Sequence, residues 1–79
     1  YPNPFNPMTT ISYALPKAAN VNLKIYDVIG RKIAELVNET KPAGFYKITF
    51  DASRLASGVY IYRIQAGDFV QSKKMTLVK

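Results

Sequence analysis

Five carboxylates, Asp27, Glu35, Glu39, Asp51 and Asp68, are the only side-chain acids this chain offers for proton transfer or metal binding. Histidine and cysteine are absent, which removes the commonest proton shuttle, the thiolate nucleophile and the ligands of a structural zinc. Carboxylate, hydroxyl and amine remain, and each needs a neighbouring base or an opposed partner to become reactive. The spacing supplies neither. Asp27 opens the tetrapeptide Asp27-Val28-Ile29-Gly30, and Asp51 closes an alternating run. Asp68 sits in the dipeptide Gly67-Asp68, and Glu35 and Glu39 fall towards the end of one segment. No pair is set for shared protons or for glycosidic chemistry, and three scattered aspartates do not make a calcium loop. Gly58 and Gly67 do not cradle a phosphate, because neither opens a helix. The residues therefore point to no catalytic site, no metal, no cofactor and no enzyme.

Two other residue classes are plentiful. Eleven Lys and Arg give a net charge of +6, which favours acidic partners such as lipopolysaccharide, nucleic acid or an anionic membrane. The cations are dispersed along the chain, and only Arg31-Lys32 and Lys73-Lys74 are adjacent. Dispersal favours an ordinary solvated face over a polyanion site, and nucleic acid is not expected as a partner. Six Tyr and four Phe suit either stacking on a ligand or filling a core. Most fall on the inward side of their runs, so core is favoured. Tyr26, Phe45 and Phe69 are exceptions by parity, available for a ligand, a strand edge or a neighbouring domain.

The elements that position these residues read as strands. Thr9 to Leu15 alternates, with Ile11, Tyr13 and Leu15 inward, and stops at Pro16. Val21 to Tyr26 alternates next, with Val21, Leu23 and Ile25 inward. Asp27 to Gly30 is a type I turn with a left-handed glycine, so a hairpin follows. Arg31 to Glu39 carries conflicting signals: Ile33, Leu36 and Val37 are spaced like a helix face and the composition suits a helix. The segment is nevertheless too short for a respectable isolated helix and stands where a partner strand belongs, so it reads as a strand, bulged if necessary. Asn38 to Gly44 reads as a loop with a type I turn at Lys41-Pro42-Ala43-Gly44. Phe45 to Asp51 places Tyr46, Ile48 and Phe50 inward.

Gly58 to Ala66 is the densest β-branched and aromatic run and is expected to be central. Leu55-Ala56-Ser57-Gly58-Val59-Tyr60 leads into it. Tyr60 reads as a tyrosine corner, its ring in the core and its hydroxyl bonded to backbone just upstream. Leu55 plugs the crossover from below, and Gly58 supplies either an unusual backbone angle or a close approach. Gly67-Asp68 makes a two-residue hairpin turn into Phe69 to Val78, where Met75 and Leu77 point inward. The sum is an all-β chain: an Ig/fibronectin-III-like antiparallel β-sandwich of six to seven strands. Residues 1–8, with Pro2, Pro4 and Pro7, form a lead-in strap or linker, and residues 9–79 form one sandwich domain. At 79 residues a chain buries only a little over ~60% of its unfolded surface, so the core must be well packed.

Several stretches together carry a family resemblance: Tyr1-Pro2-Asn3-Pro4-Phe5-Asn6-Pro7, Thr10-Ile11-x-Tyr13-x-Leu15-Pro16, Val21-x-Leu23-x-Ile25-Tyr26-Asp27-x-x-Gly30-Arg31, Pro42-Ala43-Gly44-x-Tyr46 and Leu55-Ala56-Ser57-Gly58-Val59-Tyr60. Over the whole chain these resemble the C-terminal sorting domains of the type IX secretion system. The pattern is also similar to the Ig-like domain of flagellar hook-capping proteins. The resemblance implies a sorting and attachment module that directs a bacterial cargo through the outer membrane. Its partners would be the outer-membrane secretion machinery, an upstream domain of the same protein and anionic lipopolysaccharide, with the module itself a monomer. It further implies passage through the periplasm to the medium or the cell surface. The basic, then apolar, ending Lys73-Lys74-Met75-Thr76-Leu77-Val78-Lys79 matches the family's, which makes Lys73, Lys74 and Lys79 the expected recognition contacts. The alternative is an Ig-like structural or carbohydrate-binding accessory module of a larger secreted or flagellar-type protein.

Overall fold

In the computed structural model, which describes residues 8–78, six strands form two antiparallel sheets: β1 (Met8–Leu15), β2 (Ala19–Asp27), β3 (Lys32–Lys41), β4 (Gly44–Asp51), β5 (Gly58–Ala66) and β6 (Phe69–Leu77). β1 pairs with β4 in a two-stranded sheet, and the other four run in the order β3-β2-β5-β6. No helix occurs among the described residues. Six antiparallel strands in two layers make the β-sandwich. Tyr1 to Pro7, nearly all of the proline-rich lead-in, and Lys79 lie outside the described residues, while Met8 already belongs to β1.

Alternation places the core. Val21, Leu23 and Ile25 of β2 are fully buried, and Ile11, Leu15, Val37, Tyr60 and Ile64 close around them from three other strands. Fully burying an aliphatic side chain contributes roughly 1.5–3 kcal/mol, so β2 anchors the larger sheet. It sits beside β5 through Leu23↔Ile64 and Ile25↔Tyr62. Ala52, in the β4–β5 crossover, is also fully buried.

β3 resolves the conflict between helix and strand signals. Its pairing with β2 slips twice: Leu23 faces Val37 and Lys24 faces Glu35, then Ile25 faces Ala34 and Tyr26 faces Lys32. Leu36 and Ile33 are each the extra residue of a bulge, so apolar residues recur at three- and four-residue intervals in an extended chain. The helix-like spacing is the signature of two bulges.

The reading of Asn38 to Gly44 as a loop is corrected. β3 continues to Lys41, pairing Asn38, Glu39, Thr40 and Lys41 with Asn22, Val21, Asn20 and Ala19. Only Pro42 and Ala43 separate β3 from β4. Thr40 and Val21 are β-branched, and the polar side chains of this stretch point to solvent, so paired strand costs nothing that a loop would save. Composition mimics a loop there because the strand is an edge.

Candidate recognition surface

Two sheet-to-sheet crossovers use the same device. The Tyr60 hydroxyl donates to the Ala56 carbonyl oxygen at 2.9 Å, and Tyr60 is 8% exposed. The Tyr46 hydroxyl donates to the Pro42 carbonyl oxygen in the same i to i−4 sense. A glycine precedes each tyrosine by two residues, Gly44 at φ 154° and Gly58 at φ 152°. A Cβ at Gly58 would meet nothing within 4 Å, so backbone angle, not close approach, requires glycine there. Leu55 packs against the core from this crossover, and its amide donates to the Ala52 carbonyl. The second corner was not anticipated from sequence. Its signal is present: Ala43-Gly44-Phe45-Tyr46 repeats the small-Gly-x-Tyr pattern of Ser57-Gly58-Val59-Tyr60.

The β2–β3 hairpin is held by Asp27. Gly30 takes φ 89° and donates to the Asp27 carbonyl, while the Asp27 amide donates to the Arg31 carbonyl. The Asp27 carboxylate accepts from the Ile29 and Arg31 amides and from Arg31 Nε at 2.7 Å. Desolvation pushes this carboxyl up, but the Arg31 amide, the Arg31 guanidinium and the Ile29 amide together outweigh it and hold the group below the usual range. Three donors on one carboxylate explain why an acid is buried here. The second hairpin turns at Gly67, with φ 61°, whose amide donates to the Asn20 carbonyl.

At the β3–β4 corner the Tyr13 and Tyr46 rings stack with centroids 5.2 Å apart, and Lys41 Nζ lies 5.2 Å from the Tyr46 ring centre. A hydrogen bond from Lys41 to Glu39 raises the ammonium pKa against desolvation. Burial raises the Tyr13 phenol despite the opposing pull of Lys41. This cluster ties β1, β3 and β4 together. Among the described residues no group of acids could hold a metal ion.

Among the described residues, β6 is an open edge of the larger sheet. Its inward positions Met75 and Leu77 are half-buried, but Gln71 and Lys73, of the same parity, are exposed. An antiparallel edge strand leaves alternate N–H and C=O groups unpaired, open to a partner strand. Lys73 stands opposite Tyr62 and Lys74 opposite Ile61, so these sequence neighbours project from opposite faces. They do not form one basic patch. Lys73 borders a small cleft of about 130 Å³ against the open edge of β1, shared with Ile11, Tyr13, Tyr62 and Phe69. Lys79 lies outside the described residues. Of the three aromatics out of parity, Phe45 is 92% exposed, Phe69 is 56% exposed and Tyr26 is half-buried.

A protein-family model described as "Secretion system C-terminal sorting domain" matches the chain over residues 1–79. Comparison with curated proteins and with solved structures gives no match.

Proposed function

Because the chain belongs to the family of type IX secretion system C-terminal sorting domains, we propose that it works as a folded, non-enzymatic address read at its surface. The domain directs a bacterial cargo protein through the outer membrane, to the cell surface or the medium. Its partners are the secretion machinery and the cargo to which it is joined. The family match along the full 79 residues carries this conclusion.

How the domain is read is our own inference. An exposed edge strand offers main-chain hydrogen bonds to an added strand, the common mode of extended-peptide recognition. β6 is such an edge, and Lys73 and Lys74 supply its charge; by sequence alone Lys79 is the third contact. The cargo crosses the periplasm before it is read. The domain acts as a monomer, a reading supported by a core closed within one chain around Val21, Leu23 and Ile25. Its surplus charge of +6 suits anionic lipopolysaccharide as a further contact. With five dispersed carboxylates and no histidine or cysteine, the domain performs no catalysis.

The test is a fusion of this chain behind a periplasmically exported reporter in a bacterium with a working type IX system. The reporter is expected in the medium or on the cell surface. Retention of intact fusion inside the cell overturns the assignment. Lys73→Ala with Lys74→Ala is expected to reduce export several-fold, and unchanged export removes those lysines from the contact.

A further inference from the structure

The strand register gathers what the sequence scatters. Lys24 and Arg63 face one another directly across β2 and β5. Tyr26 pairs with Lys32 on one side and with Ile61 on the other, and Ile61 pairs with Lys74. Directly paired residues share a face, and this is the face turned away from the core. A row Lys32-Tyr26-Ile61-Lys74 thus crosses all four strands beside a row Glu35-Lys24-Arg63-Ser72. Four cations from four strands lie within a span of about 15 Å. Glu35 is the one carboxylate in these rows, and it accepts a hydrogen bond from Asn22 Nδ2 at 3.2 Å. The two ion pairs among the described residues, Arg31–Asp27 and Lys41–Glu39, engage other cations. Lys24 stands between Glu35 and Arg63, so its repulsion from Arg63 is a cost to the isolated sheet that Glu35 partly offsets.

We propose that this outward face of the four-stranded sheet docks flat on a phosphate-bearing anionic lipid leaflet. Charge complementarity selects the partner: fixed cations at both ends of a row meet a diffuse plane of negative headgroups. The middle of the row favours lipid over other polyanions. Tyr26 and Ile61, half-buried, present an apolar ridge with one phenol, the composition that settles at a membrane interface. Bases of duplex nucleic acid are read by elements that enter a groove, and among the described residues this face carries no projecting element. The proposal deepens the lipopolysaccharide contact suggested above and rests on it, but not on sorting itself.

The test is co-sedimentation of the 79-residue chain with phosphatidylcholine vesicles, with and without phosphatidylglycerol, at low and raised salt. The native chain is expected to bind only the anionic vesicles and to release with salt. Two charge-matched variants locate the contact. Arg63→Glu with Lys74→Glu alters the proposed face, and Lys47→Glu with Arg54→Glu alters exposed positions elsewhere. Each substitution removes two charges, so both pairs lower the net charge from +6 to +2. The first pair is expected to weaken binding by about thirty-fold, the loss of two cation contacts with an anionic leaflet. The second pair should stay within about three-fold of native under the same screening. Equal losses from both pairs overturn the face while leaving a general anionic-lipid attraction standing. No binding of native protein to anionic vesicles overturns both, and tighter binding to duplex DNA than to vesicles overturns the lipid assignment. Should the reversals unfold the chain, Arg63→Gln with Lys74→Gln gives the same comparison with smaller effects. The export assay reads sorting separately.

Discussion

The Tyr60 hydroxyl and the Ala56 carbonyl oxygen, 2.9 Å apart, lock the chain where it passes from the small sheet to the large one. The bond is part-buried, so removing the hydroxyl leaves the carbonyl without its protein partner in a site only partly open to water. Tyr60→Phe is therefore expected to cost ~1–2 kcal/mol, which lowers Tm by roughly 4–16 °C in a domain of this size. Tyr46→Phe at the more exposed second corner should cost about half as much or less. Tyr60→Ala should cost about 3–5 kcal/mol, most of the stability such a chain has. Thermal melts by circular dichroism check all three, and a Tyr60→Phe melt identical to native removes the corner as a stabilising device.

Each corner is set by the glycine two residues before its tyrosine. At φ 152° and 154° an L side chain is strained whatever room surrounds it. Gly58→Ala and Gly44→Ala are each expected to cost about 1–3 kcal/mol. Since a Cβ at Gly58 meets no neighbour, Gly58→Ala and Gly58→Ser should be destabilised alike. A loss that grows with side-chain size would instead point to steric contact.

Much of this architecture was legible because inward residues alternate on β1, β2, β4 and β5, and because Asp27-x-x-Gly30 and Gly67-Asp68 are turns with defined chemistry. The Leu55-to-Tyr60 approach to the corner was legible for the same reason: a glycine, an aromatic and a plug residue stand at fixed offsets. β3 was harder, since two bulges impose a helix-like period on an extended strand. The end of β3 was misread because an edge strand can be as polar as a loop. The convergence of Lys24, Lys32, Arg63 and Lys74 was not legible at all. It depends on the order β3-β2-β5-β6 and on register, both products of tertiary pairing, and neither is written in local sequence. The opposed projection of Lys73 and Lys74 was legible from period-two alternation once β6 was read as a strand.

Acid should loosen the β2–β3 hairpin. The folded pKa of Asp27 lies below its ordinary value, so its contribution is fully present above about pH 4, the unfolded value. It is lost as pH falls through the lower folded value. Native Tm is expected to exceed that of Asp27→Asn at neutral pH, and the gap should narrow once pH drops below about 4. Parallel Tm curves for the two proteins down to strong acid would show that Asp27 carries no such linkage.

Lysines on the open edge also guard against uncontrolled strand pairing. Replacing Lys73 and Lys74 with Val in the isolated domain should leave Tm nearly unchanged, because both side chains are exposed. Light scattering and thioflavin fluorescence on incubation should rise sharply, since Val70, Val78 and the new valines would leave a long apolar edge. A variant that stays monomeric over the same period would show that β6 is protected by something other than charge.

Lys24 facing Arg63 allows a test in which stability and binding move in opposite directions. If the pair were kept for the fold alone, reversing one charge should help everywhere, because Arg63→Glu turns a repulsive cross-strand pair into an attractive one. Such a pair contributes roughly 0.2–1 kcal/mol, and Arg63 is exposed, so no buried contact is lost. Arg63→Glu is therefore expected to raise Tm by a few degrees at low salt, with the gain fading as salt screens the charges. The same substitution should weaken binding to anionic vesicles. A repulsion that costs the folded domain is relieved when a negative surface lies over both cations, which a purely structural origin of the pair does not require. A stabilised Arg63→Glu domain that still binds anionic vesicles as tightly as native would separate the two effects and leave the Lys24–Arg63 repulsion without a function.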